Sequence, residues 1–203
     1  MDFDKSLACV VQALEDGAEL RLRVARECGP RIVEAAQAVA SCLQNGGKAL
    51  FFGNGGSAAD AQHIAAELVG RYYLNRKALP ALALTTDTSI LTAVGNDFGF
   101  DQVYVRQVEA LGRSGDVAFG ISTSGNSPSV ILAMEQASRQ GMVTIGLSGA
   151  TGGKLCGCAE IPILVPAKDT ARIQECHITI GHLICELVER ELAGRSELED
   201  GKT

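Results

Sequence analysis

From Phe3 to Cys28 the apolar residues Leu7, Val10, Val11, Leu14, Ala18 and Val24 recur at helical spacing, which predicts one amphipathic helix. Pro30 opens a second such stretch that runs to about Leu43, where Asn45-Gly46-Gly47 ends it. Downstream the pattern changes to short runs, apolar throughout, at 49–52, 80–84, 117–121, 143–147 and 161–165, each separated from the next by a segment of helical length. Parallel strands buried on both faces read this way, so a five-stranded parallel sheet flanked by helices is expected, an α/β sandwich. Ligands of such sheets bind at the carboxyl ends of the strands. A final helix from about Thr170 to Leu192 carries Ile173, Cys176, Ile180, Leu183, Ile184, Leu187 and Leu192 as a wide apolar stripe. The leading and final helices offer more apolar face than one sheet needs, so association between subunits is expected.

A chain of 203 residues with 46% apolar content can bury one full core. A single domain is expected: leading helices at about 3–45, a sheet core at about 48–166, the final helix at about 170–193 and a polar tail at 194–203 that frays. The net charge of −6 argues against nucleic acid as a partner, which would require clustered Lys and Arg. No apolar run approaches the ~20 residues of a membrane span. The opening MDFDKSLACV lacks the basic start of a secretory leader, so a cytoplasmic protein with no membrane partner is expected. Seven cysteines, an odd number in apolar surroundings, suit buried thiols in a reducing compartment. Cys156 and Cys158, the one close pair, lack the spacing and the second pair of a metal site, and a structural or incidental role is expected.

Candidate chemistry follows two of the strands. After the first comes Gly53-Asn54-Gly55-Gly56-Ser57-Ala58-Ala59-Asp60, a glycine-rich turn into a helix. Small residues let backbone approach a ligand, and the helix start offers free N–H groups to a phosphate or sugar hydroxyl; a tight turn without a ligand reads the same way. It lacks the Gly-Lys-Ser/Thr ending of a triphosphate loop, but Gly53, Gly55 and Ala58 match Gly-x-Gly-x-x-Ala, which raises a dinucleotide site. The third run ends in Ser122-Thr123-Ser124-Gly125-Asn126-Ser127-Pro128, with Pro128 opening a helix capped by Ser127. A cap uses one hydroxyl. The other three point to a phosphate monoester, whose oxygens need several donors at once.

His63 and Glu67 are four apart on one helix face, the spacing of two ligands on one divalent ion and equally of a plain surface pair. The final helix holds Gln174, His177 and His182 in a chain with three histidines in all. Gln174 and His182 are separated by a rise of about 12 Å, so sharing one ion would take long side chains or two protomers. His177 lies off that pair and suits a polar niche.

With GNGGS at 53–57, GISTSGNS at 120–127 and GLSG at 146–149, the chain resembles the SIS (sugar isomerase) phosphosugar-binding family. His63, Glu67, Gln174 and His182, with ELVGRY at 67–72, VGNDFGFD at 94–101 and ARIQE at 171–175, are similar to its phosphoheptose isomerase branch, over nearly the whole chain to about residue 192. The resemblance implies a flavodoxin-like three-layer SIS fold and a homotetramer with active sites between subunits. It implies one zinc ion per subunit on His63, Glu67, Gln174 and His182. Substrate contacts would come from Asn54, Gly55, Gly56, Ser57, Glu67, Arg71, Asn96, Asp97, Ser122, Thr123, Ser124, Ser127 and Gln174. The implied activity is an aldose–ketose isomerisation of sedoheptulose 7-phosphate through an enediol, with Glu67 as base and His182 as acid, feeding heptose-nucleotide synthesis for surface polysaccharide. One departure is Ala171, where some members of the branch place an acid; that acid's role is open here or passes to Asp169.

The rival from another class is a non-catalytic SIS phosphosugar-binding protein, such as the relative that associates with the replication initiator DnaA. That relative has lost the acid at the Glu67 position and the histidine at the His182 position, and both are present here. The loops alone do not separate a heptose phosphate from a hexose or pentose phosphate. A dinucleotide site would leave the hydroxyl-rich loop and the His/Glu/Gln/His set unused.

Overall fold

Asp2 starts the first helix by accepting the Lys5 amide at 3.5 Å, and α1 runs Phe3–Glu27 in the computed structural model, which describes residues 1–193. The polar tail expected to fray lies outside the described residues. Pro30 supplies no amide for a continuing helix, so the chain bends at Cys28 and restarts as α2, Gly29–Gln44. The core follows as β1 (Ala49–Gly53), α3 (Gly56–Val69), β2 (Ala81–Ala83), α4 (Thr88–Phe98), α5 (Val105–Leu111), β3 (Val117–Ser122) and α6 (Pro128–Arg139). It closes with β4 (Val143–Gly149), a short α7 (Leu155–Cys158), β5 (Ile161–Val165) and the long α8 (Thr170–Ala193). Each strand lies within two residues of an apolar run, and every pairing is parallel, in the order β2-β1-β3-β4-β5.

Alternate strand residues divide between two cores. Phe51, Phe119, Ile145 and Ile163 pack with α2, α3 and α8, while Leu50, Phe52 and Ala118 pack with α5 and α6. The result is a three-layer, doubly wound sandwich, as the resemblance implied. Chain order reverses between β1 and β3, which opens a crevice at their carboxyl ends. Pairing of Gly53 with Ile121 sets Asn54 level with Ser122, so both candidate loops border that crevice.

Helical periodicity identified apolar faces but not what covers them. Leu7, Val10, Val11 and Leu14 are 46% to 66% exposed, and α1 buries only Gly17, Leu20 and Val24. On α8 the buried face takes in His177 and Glu189 and leaves Leu183 at 41% exposure. Helix α4 buries nothing and presents Ile90 and Phe98. All seven cysteines are free: Cys28, Cys42, Cys176 and Cys185 are buried, Cys156 and Cys158 half-buried, and Cys9 exposed. Burial pushes the Cys28 and Cys42 thiols up to about 11 and that of Cys185 to about 12. Among the described residues no helix is long and apolar enough to cross a membrane.

Candidate active site

Tyr104 anchors the loop after β1. Its hydroxyl is shared between the Gly53 carbonyl, at 2.6 Å, and Asn54 Oδ1, at 3.1 Å, and burial pushes its pKa up to about 12, so it stays a donor. Asn54 Nδ2 donates in turn to Ser129 Oγ at 3.0 Å. The Asn54 side chain thus ties the β1 loop to the start of α6. What the loop leaves for a ligand is backbone at Gly55 and Gly56, with Ser57 buried beneath it.

The loop after β3 differs from the expected division of its hydroxyls. Ser127 stands at the N-cap of α6, but its Oγ bonds Ser122 Oγ at 3.0 Å rather than a helix amide. Ser124 Oγ accepts the Asn126 amide at 3.2 Å and closes the turn. A cavity of about 280 Å³ opens beside this loop at the carboxyl ends of β3, β4 and β5, lined among others by Thr123, Ser124, Asn126, Thr151, Lys168 and Thr170. Lys168 escaped sequence reasoning, although its place just after β5 was the available signal.

Helices α3 and α8 lie side by side and advance together. At one end Gln174 packs on Gly56, where a Cβ would stand 2.5 Å from Gln174 Nε2; further along, Ile64 packs on Gly181, where a Cβ would stand 2.6 Å from the isoleucine side chain. The bare backbone at Gly181 lets the helices close enough for the next residue, His182, to reach across. His182 Nε2 lies 3.3 Å from His63 Nε2, and His63 Nε2 lies 3.2 Å from Glu67 Oε1. The two rings meet nearly edge-on, at 76°, and Tyr72 covers His182 at 5.5 Å. Donor atoms of His63, Glu67 and His182 all fall within 4.8 Å of one another, a group of metal-binding type. Two imidazole nitrogens facing at this distance either share a proton or direct lone pairs at one cation, and a carboxylate oxygen beside them completes the donor set that a zinc ion takes. The residues present therefore fit a divalent ion.

Gln174 is not with them: packed on Gly56, it sits about 12 Å along α8 from His182. Arg71 is exposed beyond α3, with its guanidinium 3.5 Å from the Tyr73 carbonyl. Asn96 and Asp97 lie at the exposed end of α4 and bond each other at 2.8 Å. Asp169 accepts the Arg172 amide at 3.0 Å as the cap of α8, so one of its oxygens is committed to the helix start. His177 stands in the core rather than in a hydrogen-bonded niche. It is fully buried, and neither ring nitrogen has a partner in hydrogen-bond geometry. Burial lowers its pKa to about 4, outweighing the opposing influence of the Ser148 backbone, and the ring stays neutral.

A SIS domain family model matches residues 14–149. The phosphoheptose isomerase of Aquifex aeolicus is 54% identical over 187 residues, which span 92% of this chain and 98% of that protein. The structure of the phosphoheptose isomerase of Neisseria gonorrhoeae matches with a TM-score of 0.85 at 45% identity, covering 90% of this chain and 98% of that one. That of Francisella tularensis matches with a TM-score of 0.87 at 39% identity, covering 90% and 97%.

Proposed function

The chain belongs to the SIS domain family and, within it, to the phosphoheptose isomerases, and from that premise we propose that it converts sedoheptulose 7-phosphate to D-glycero-D-manno-heptose 7-phosphate. This would be the first step toward heptose nucleotides for a surface polysaccharide. The observation that carries the reading is the convergence of His63, Glu67 and His182 from two helices, in a fold whose switch-point crevice is bordered by both candidate loops.

Ketose-to-aldose conversion takes a proton from C1 and returns one to C2, while a second proton moves from O1 to O2. The Glu67 carboxylate is the carbon base: it accepts from C1 and delivers to C2. The His182 imidazole serves the oxygens, donating at O2 and accepting from O1. Zinc is the proposed ion, held by His63, Glu67 and His182, and when bound it polarises the sugar oxygens and stabilises their developing negative charge. Gln174 is proposed to complete the set from a neighbouring copy, since its own chain keeps it about 12 Å along α8 from His182. The exposed apolar faces of α1 and α4 support such assembly, and a homotetramer with sites between subunits is the form proposed.

The phosphate is assigned to Ser122, Thr123, Ser124 and Ser127 with the start of α6, and the backbone of the loop Asn54, Gly55, Gly56 and Ser57 to the sugar hydroxyls. Arg71, Asn96 and Asp97 are proposed as further substrate contacts. The whole chain acts as one domain in the cytoplasm, where sugar phosphates are made and thiols such as these remain reduced.

Proton NMR of sedoheptulose 7-phosphate in D2O, with zinc-loaded and metal-stripped protein in parallel, tests the reading. An aldoheptose 7-phosphate bearing deuterium at C2, formed only by the loaded sample, is the expected result. An intact loaded oligomer that converts nothing would sink the assignment and leave a different phosphosugar or a non-catalytic binder.

A further inference from the structure

Beyond Val69 the chain turns from α3 toward β2, and this strap hangs on two residues outside the His63–Glu67–His182 group. Glu189 of α8 accepts the amides of Tyr72 and Tyr73, each at 2.8 Å, and of Leu74 at 3.0 Å. Arg76 lies against it, Nε 2.8 Å from Glu189 Oε1, an ion pair by distance whose N–H is turned out of hydrogen-bond geometry. The other guanidinium nitrogens reach the end of α3: Nη1 donates to Leu68 O at 2.8 Å and Nη2 to Glu67 O at 2.9 Å. These are last-turn carbonyls that a helix leaves without partners, and a cation there also meets the negative end of the dipole. The Arg76 and Glu189 side chains are 9% and 2% exposed.

Two connections run from this clamp to the candidate site. Arg76 holds the peptide carbonyl of Glu67 itself. The strap fixed by Glu189 sets the Tyr72 ring 5.5 Å from His182, inclined by 32°. We propose that Arg76 and Glu189 are a positioning pair that holds Glu67 and His182 in the arrangement needed for metal binding and proton transfer, an inference that rests on the function proposed above. Neither side chain is among the groups assigned to the substrate, and both are nearly sealed from solvent.

Arg76→Lys keeps the cation but loses the planar fork that spans Glu189 and two carbonyls. Glu189→Gln keeps the shape and one acceptor. Both are to be made in the full chain, titrated with Co(II) after metal stripping and assayed on sedoheptulose 7-phosphate. The expected variants retain the wild-type oligomer, weaken Co(II) binding by about tenfold or more, shift its visible absorption, and lose about tenfold in kcat with KM unchanged within about twofold. A folded Arg76→Lys with a lower Tm but wild-type kcat, Co(II) affinity and spectrum would overturn the proposal and leave the pair as a fold stabiliser; should Glu189→Gln not fold, Arg76→Lys decides alone. Full turnover in Glu67→Gln, or unchanged Co(II) affinity in His63→Ala, would instead remove the reading of the site itself and the positioning role with it.

Discussion

Glu67 and Glu189 are carboxylates on neighbouring helices of one packed pair, yet one is saturated and the other open. Glu189 accepts three backbone amides and faces Arg76 with almost no solvent contact. Glu67 has an imidazole for its side-chain partner and is 24% exposed. The α8 histidines repeat the contrast, with His177 sealed in the core and His182 facing His63. A group whose lone pairs are all engaged, or whose surroundings forbid charge, is limited to building structure; one with capacity left over can take a proton, an ion or a substrate.

The sharpest way to break this contrast is Glu67→Gln. Loss of the carbon base should lower turnover by about 10²- to 10⁴-fold while phosphosugar binding, followed by calorimetry, stays within a few-fold. On the saturated side, Glu189→Ala leaves Arg76 buried without its counter-charge and should cost about 3–5 kcal/mol of stability in urea denaturation. The same change at the half-open Glu67 should cost under about 1 kcal/mol in metal-free protein.

Acid titration probes the sealed groups together. The unfolded His177 imidazole gains a proton near 6.5 while the native ring resists until about 4, so between those values the unfolded state holds more protons and stability falls as pH falls. The loss approaches about 3 kcal/mol, and His177→Gln should flatten that portion of the stability curve. Burial raises the Glu189 carboxyl, but its three amides and Arg76 outweigh that and hold it below the usual range. Its stabilisation is therefore present at neutral pH and disappears only at lower pH, as the folded carboxylate is protonated, a loss absent from Glu189→Gln. The helix contact itself is tested by Gly181→Val, which inserts a side chain where Ile64 already sits. It should cost about 1–3 kcal/mol in denaturant and weaken Co(II) binding by parting His63 from His182.

Much of this arrangement was legible in the chain. The apolar runs marked all five strands, Pro30 marked the break between α1 and α2, and the glycine- and hydroxyl-rich segments proved to be the loops bordering the switch point. The helical rise alone kept Gln174 and His182 apart. Other features left no local trace. Ser127 reads as a cap, yet its hydroxyl pairs with Ser122 once the β3 loop has folded back. Nothing near Arg76 or Glu189 in the chain marks them as a buried pair, because the strap that buries them forms only when α3 and α8 pack. Lys168 is a plain polar residue until the strand ends around it enclose a cavity.

By itself the sequence determined the elements, the parallel sheet and the kind of chemistry its loops and α3 support, because periodicity, turn composition and i,i+4 spacing act within a few residues. Only the tertiary structure decided which carboxylate and which histidines remain free to react. That choice depends on burial and on hydrogen bonds between residues as far apart as Tyr72 and Glu189, 117 positions along the chain, and no short-range pattern encodes such contacts.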